Sequence, residues 1–90
     1  MAGEEQNDVL EARRLIATVP LIPEVEKIDV ELYTDNTGDP ALELLFRVKT
    51  GVEVDRAFIR RFNEFAGRVQ TVILHSQITR FPYARLRQAA

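Results

Sequence analysis

Residues 25–48 read VEKIDVELYTDNTGDPALELLFRV, and two stretches within them alternate apolar with charged side chains. The apolar positions are Ile28, Val30 and Leu32 in the first stretch and Leu42, Leu44, Phe46 and Val48 in the second. A period of two is typical of a strand that buries one face. The segment therefore predicts a β-hairpin with one apolar face and one charged face.

The charges suggest how the two strands pair. A register with Glu31 opposite Arg47 and Asp29 opposite Lys49 places opposite charges across from each other on the charged face. Each such pair contributes roughly 0.2–1 kcal/mol. A register with Glu31 opposite Glu43 would oppose like charges, so we expect the first register.

The connection between the strands, residues 34–40 or TDNTGDP, is rich in oxygen ligands. A calcium loop that begins at Asp35 would need glycine at its sixth position and glutamate at its twelfth. Here glycine is fourth and Phe46 is twelfth. The Asp-Thr-Gly signature of aspartic proteases is also absent, because Asn36 precedes Thr37. Asn, Asp, Gly and Pro together predict a hairpin turn, with weak cation binding by Asp35 and Asp39 left open.

Helical spacing appears on both sides of the hairpin. Asp8 and Glu11 have the spacing of a capping box and predict a first helix over about 8–18, which Pro20 and Pro23 end. Asp55 is the expected N-cap of a longer helix over about 55–76. Its apolar stripe consists of Phe58, Phe62, Phe65, Val69, Val72 and Ile73.

Gly67 lies in the middle of the longer helix, where glycine costs about 1 kcal/mol relative to alanine. Either the helix bends there or another backbone approaches closely, and close approach is the more common reason.

Residues 80–87 predict a last strand, which Pro82 restricts to an edge of the sheet. The resulting order is α-β-β-α-β. A helix between the last two strands suits a parallel crossover, whereas the first two strands form an antiparallel hairpin. We therefore expect an α+β fold: a mixed three-stranded sheet with the helices packed on one face. Residues 8–88 form a single domain and residues 1–7 a flexible N-terminus.

Composition argues against several chemistries. The 90 residues contain no cysteine and one histidine, which rules out the usual zinc sites and any thiol nucleophile. His75 and Ser76 are neighbours on a helix and do not face each other, so nucleophilic catalysis is not predicted. No apolar run of about 18 residues and no leader is visible. We expect a cytoplasmic protein that is not an enzyme, with no cofactor, metal, membrane or small-molecule substrate.

Charge is divided unevenly along the chain. Residues 1–54 carry 12 of the 14 carboxylates, whereas residues 55–90 carry 7 of the 12 cations, all arginine. The arginines either neutralise the acidic half or form a basic face for an acidic partner. The candidate nucleic-acid-binding residues are Arg60, Arg61, Arg68, Arg85, Arg87 and Tyr83. Against this use stands an isoelectric point of about 5.4.

Two resemblances add to these patterns. DNTGDPAL at 35–42 together with RFPY at 80–83 resembles a group of short bacterial proteins of uncharacterised activity, over most of residues 25–87. The order α-β-β-α-β with a glycine in the second helical segment is similar to ribosome-binding factor A and the type II K-homology arrangement. That likeness implies a kink at Phe65-Ala66-Gly67 and RNA binding through Arg60, Arg61, Arg68 and the edge strand. The first alanine of the family's Ala-x-Gly and the Gly-x-x-Gly loop are missing here.

A three-stranded sheet leaves strand edges that can pair with another chain. The sequence therefore predicts a non-catalytic protein-interaction or assembly module, most economically a homodimer. The alternative is an RNA-binding domain that uses the arginine-rich C-terminal helix and edge strand.

Overall fold

A computed structural model describes residues 2–88, except for the side chains of residues 2–6. The elements in chain order are α1 (Ala2–Ile16), β1 (Val25–Thr34), β2 (Pro40–Val48), α2 (Arg56–Leu74) and β3 (Phe81–Gln88). This order confirms the predicted α+β fold. Within residues 2–88, neither helix has the length and apolar character needed to cross a membrane.

The sheet is mixed and has the strand order β1-β2-β3. β1 pairs antiparallel with the central strand β2, and β3 pairs parallel with β2 on the other side. The parallel pairing follows from the intervening helix α2, which carries the chain back to the start of the sheet. Pro82 lies in an edge strand, as its missing backbone donor requires.

The hairpin register differs from the one predicted. Glu31 lies opposite Glu43, Asp29 opposite Leu45 and Lys27 opposite Arg47. The short turn sets this register, because Thr34 pairs with Pro40 and leaves only residues 35–39 to connect the strands. The predicted register would have needed a connection about four residues longer on the β2 side. Charge pairing between directly opposed residues was a weaker constraint than the length of the turn. The charged side chains find other partners, as Asp29 does by binding Arg47.

The core lies between one face of the sheet and both helices, as predicted. β2 supplies Leu42, Leu44, Phe46 and Val48, and α2 supplies Phe58, Phe62, Phe65, Ala66, Val69 and Ile73. The Phe46 ring meets the Phe62 and Phe65 rings edge-on, at centroid distances of 5.1 Å and 5.7 Å. Burying each such side chain contributes roughly 1.5–3 kcal/mol. Val9, Ala12 and Ile16 of α1 complete the same core.

Helix α1 begins before Asp8, so the capping box predicted at Asp8 and Glu11 is wrong. The Asp8 carboxylate instead accepts a hydrogen bond from Arg80 Nε at 3.2 Å, which ties α1 to the start of β3. Glu11 accepts from Arg14 Nε at 3.0 Å, one turn along the same helix. The flexible segment predicted at residues 1–7 stays a prediction, since Met1 and the side chains of residues 2–6 lie outside the described part.

Helix α2 begins where predicted. The Asp55 side chain accepts a hydrogen bond from Phe58 N at 2.8 Å and thereby caps the first turn. The helix runs without interruption through Gly67 to Leu74, so it is not divided as the K-homology likeness implies. A Cβ added at Gly67 would meet nothing within 4 Å among the described residues, so the close backbone approach predicted there is also wrong.

Gly67→Ala is therefore expected to raise the free energy of unfolding by about 1 kcal/mol. Alanine has room at this position and restricts the unfolded backbone. Urea denaturation followed by circular dichroism measures the change. Destabilisation instead would show that the position needs glycine for a reason within the folded chain.

Candidate functional site

The loop between β1 and β2 is a turn organised by one side chain. Asp35 Oδ1 accepts hydrogen bonds from Thr37 N at 3.0 Å, Thr37 Oγ1 at 2.7 Å and Asp39 N at 2.9 Å. Gly38 adopts a φ of 88°, a region that glycine enters without a steric cost. These contacts confirm the predicted hairpin turn. Among the side chains of residues 7–88, no group of three or more His, Cys, Asp or Glu is placed to hold a metal ion.

Asp35 also links the turn to the far edge of the sheet. Its second carboxylate oxygen accepts a hydrogen bond from Tyr83 Oη at 3.1 Å. The hydrogen bonds from the Thr37 hydroxyl and the Asp39 backbone are the main reasons why the pKa of Asp35 is lowered. The same carboxylate raises the pKa of Tyr83. A carboxylate held ionised in this way is a poor proton donor near neutral pH.

His75 and Ser76 form hydrogen bonds at the C-terminal end of α2. The backbone N–H of His75 bonds to Thr71 O at 3.0 Å. Ser76 Oγ donates to Ile73 O at 2.6 Å and accepts from Ile78 N at 3.1 Å. Both contacts of this hydroxyl belong to helix termination and to the turn that follows.

The six candidate nucleic-acid-binding residues lie on two different surfaces. Arg60, Arg61 and Arg68 are exposed on α2, which covers the apolar face of the sheet. Tyr83, Arg85 and Arg87 lie at alternate positions of β3, opposite Glu43, Leu45 and Arg47 of β2, and so face away from the helices. The sheet separates the two sets, and they do not form one continuous basic surface.

Several arginines from the C-terminal half bind carboxylates from the N-terminal half. Arg61 pairs with Glu24, Arg80 with Asp8, and Arg85 with Glu43 at 2.7 Å. The Arg61 hydrogen bond is the main reason why the pKa of Glu24 is lowered. Among the described side chains, internal neutralisation, one of the two expectations from the charge division, thus accounts for three of the seven C-terminal arginines.

The face of the sheet turned away from the helices, here called the open face, has an aromatic end. Tyr33, Phe81 and Tyr83 form a cluster there, with ring centroids 5.8 Å apart for Tyr33–Tyr83 and 4.8 Å apart for Phe81–Tyr83. Phe81 is 47% exposed. Arg85 lies over the Tyr33 ring at 5.4 Å and donates to the Tyr33 hydroxyl at 3.1 Å. Ala41, between Tyr33 and Phe81 in the register, is fully buried.

The opposite end of the open face is cationic. Lys27, Arg47 and Arg87 occupy directly opposed positions on β1, β2 and β3 and form a cross-strand row, here called the cation row. Asp29 binds Arg47 and lies 3.8 Å from the Lys27 ammonium group. The Arg47 hydrogen bond is the main reason why the pKa of Asp29 is lowered. Like charges opposed on neighbouring strands otherwise cost stability.

The outer edge of β1 extends over ten residues, Val25–Thr34. Within residues 2–88 no strand pairs with it, since β1 is the first strand of the three. A cleft of about 400 Å³ opens beside it, with apolar walls from Ile16, Val19, Leu21, Ile28 and Val30. Leu21 and Leu32 are exposed. Backbone donors and acceptors together with apolar side chains are what a further strand needs in order to add to a sheet.

Comparison with protein-family models, curated proteins and solved structures finds no match. The two resemblances noted in the sequence therefore stay predictions.

Sequence reasoning missed two features of this site. Tyr33 was not singled out, although the period of two already places it on the charged face of β1 with Lys27, Asp29 and Glu31. The cation row could not be predicted from the sequence, because it exists only in the observed register. The predicted register placed Glu31 opposite Arg47.

Asp35→Asn tests the link between the turn and β3. The pKa of Asp35 lies below the ordinary value of 3.8, so its charge stabilises the fold above that pH and the stabilisation is lost as the pH falls through the lower folded pKa. The variant should therefore lose less stability than the wild type on acidification below about pH 4. It should also lower the pKa of Tyr83 toward 10.0.

Thermal unfolding against pH measures the first effect, and tyrosinate absorbance during alkaline titration measures the second. An alkaline titration curve that is the same in the variant and the wild type would show that Asp35 does not hold the Tyr83 hydroxyl.

Proposed function

We propose that this protein is a non-catalytic assembly module that associates with a second copy of itself through the outer edge of β1. The observation that carries the proposal is the ten-residue unpaired edge beside an apolar cleft. Edge-to-edge pairing would join two three-stranded sheets into one and satisfy the backbone groups along the strand.

The two edge strands differ in how many backbone hydrogen-bonding groups they offer to a partner strand. β3 contains Pro82, which lacks a backbone donor, and the Pro82 carbonyl already accepts a hydrogen bond from Gln70 Nε2 at 2.8 Å. β1 contains no proline between Val25 and Thr34. It is also the longer strand, with ten residues against eight. β1 therefore offers a partner more backbone hydrogen bonds.

The side chains of β1 are self-complementary in a two-fold antiparallel pair. Directly opposed residues of such a pair lie on the same face of the sheet, so the two-fold axis passes through one residue of β1. An axis at Ile28 places Lys27 opposite Asp29 of the second copy. An axis at Asp29 places Lys27 opposite Glu31 of the second copy but also opposes the two Asp29 side chains, which disfavours that register. An axis at Val30 would instead oppose Asp29 and Glu31, which disfavours that register.

The cleft beside β1 supports the same pairing. On the helix-covered face, the favoured axis at Ile28 brings the two Ile28 side chains together. Ile28 and Val30 both line the cleft. Apolar contacts in each copy would then be buried at the centre of the interface, with the charged pairs on the open face.

The absence of catalysis is part of the proposal. The Asp35 carboxylate accepts hydrogen bonds from its own turn, which lower its pKa and keep it ionised. The Ser76 hydroxyl is committed to the end of α2. Neither group is placed to exchange a proton with a bound substrate.

A nucleic-acid function is favoured only at the strand residues. There aromatic and cationic side chains share the open face, whereas Arg61 of α2 is engaged with Glu24. RNA binding through α2 and β3 acting together is not supported by their placement on opposite sides of the sheet.

Lys27→Glu should weaken self-association about tenfold, because the two Lys27–Asp29 pairs across the interface become like-charge pairs in the register centred on Ile28. The fold itself should be unaffected or slightly more stable, since residue 27 lies opposite Arg47 within the chain. Sedimentation equilibrium measures the association, and urea denaturation at low protein concentration measures the fold.

Lys49→Glu is the matched control. It makes the same change in net charge at the chain's other lysine, which lies just after β2 and not on the β1 edge. Self-association should match that of the wild type. A wild-type protein that stays monomeric up to about 1 mM, or equal effects of the two variants, would reject the proposed interface.

A further inference from the structure

The open face combines two kinds of side chain that self-association at β1 does not use. β3 places Phe81, Tyr83, Arg85 and Arg87 in a single line, because alternate residues of a strand point to the same face. The first two are aromatic and the last two are cationic. No helix of residues 2–88 packs on this side, since the buried residues of both helices belong to the core on the other face.

The cationic end of the line is reinforced by its neighbours. Arg87 stands in the cation row with Arg47 and Lys27, and the only carboxylate bound to that row among the described residues is Asp29. Glu26 and Glu31 also act electrostatically on Arg47. The cation of the row that has no carboxylate partner among the described residues is therefore Arg87. An anionic group placed here would relieve the repulsion among the cations.

Two carboxylates near the aromatic end, Glu43 and Asp35, are already engaged. Glu43 binds Arg85 at 2.7 Å and is only 17% exposed. Asp35 accepts hydrogen bonds from its own turn and from Tyr83. The Phe81 ring remains 47% exposed beside them and is available for stacking.

We propose that the open face binds single-stranded nucleic acid along β3, with bases stacked on the Phe81 and Tyr83 end and phosphates at Arg87. Stacking on an aromatic ring needs an unpaired base, and a phosphate needs a cation within a few ångströms of the same strand. A duplex presents phosphates without free base faces and does not suit this surface. The function does not depend on self-association, because Phe81, Tyr83 and Arg87 lie on β3, whereas self-association at β1 uses Lys27.

Binding can be measured through the intrinsic tyrosine fluorescence of the protein, without an added label. Its only two tyrosines, Tyr33 and Tyr83, lie in the aromatic cluster, and it contains no tryptophan. Bases that stack on this cluster should quench the tyrosine fluorescence. Titration with single-stranded RNA and DNA of about twelve nucleotides at low salt, beside a duplex of equal length, measures affinity and strand preference.

Two substitutions test the two ends of the line separately. Phe81→Ala should weaken binding about tenfold while leaving both reporter tyrosines in place. Arg87→Ser should reduce the slope of log K against log salt by about 0.7, the share of one phosphate on a single strand. Arg60→Ser removes the same charge on α2 and should leave affinity within about twofold. Thermal unfolding confirms that each variant is folded.

Tighter binding of RNA would identify RNA as the ligand, and equal binding of RNA and DNA would identify single strands in general; both outcomes support the site. Three outcomes would overturn it: no quenching and no binding at low salt, equal affinity for the duplex, or a loss from Arg60→Ser as large as that from Arg87→Ser. The last result would assign any binding to net charge and not to the open face.

Discussion

The fold depends on the packing of Phe46 of the central strand against Phe62 and Phe65 of α2. Among the described strands β2 alone has a neighbour on each side, and α2 supplies six buried residues to the core. Where the rings meet edge-on, the aromatic pairs contribute about 0.5–1.5 kcal/mol each beyond the area they bury. Ninety residues can form one such core, so both helices are committed to the same side of the sheet.

Because both helices cover the same face of the sheet, the other face and the strand edges remain exposed. A sheet covered on one side has an open face, and a sheet of three strands has two edges. Pro82 and the Gln70 hydrogen bond blunt one edge at β3. The edge of β1 has no such protection, and its alternating charges are complementary to a second copy of the same strand. The open face carries aromatic and cationic side chains that the core did not require.

The charged side chains of the open face also depend on how the three strands pair. The turn places Glu31 opposite Glu43 and Lys27 opposite Arg47, which are unfavourable pairs on their own. β3 relieves the first, because Arg85 binds Glu43, and Asp29 relieves the second by binding Arg47. Glu26 and Glu31 also act electrostatically on Arg47, so the cation of the row that keeps no carboxylate partner among the described residues is Arg87 of β3.

Local sequence patterns by themselves determined the element order, the apolar face of the hairpin, the Asp55 cap and, through Pro82, the edge position of β3, because each depends on residues within a few positions of one another. They failed at Asp8, where a contact with Arg80 seventy-two residues away replaced the predicted cap. They also failed at the strand register, where a five-residue turn outweighed charge pairing worth a few tenths of a kcal/mol. Only the tertiary structure decided that Arg60, Arg61 and Arg68 lie apart from Arg85 and Arg87, and that Tyr33 lies beside Tyr83. Which side chains share a surface depends on how distant segments pack, and local patterns do not contain that information.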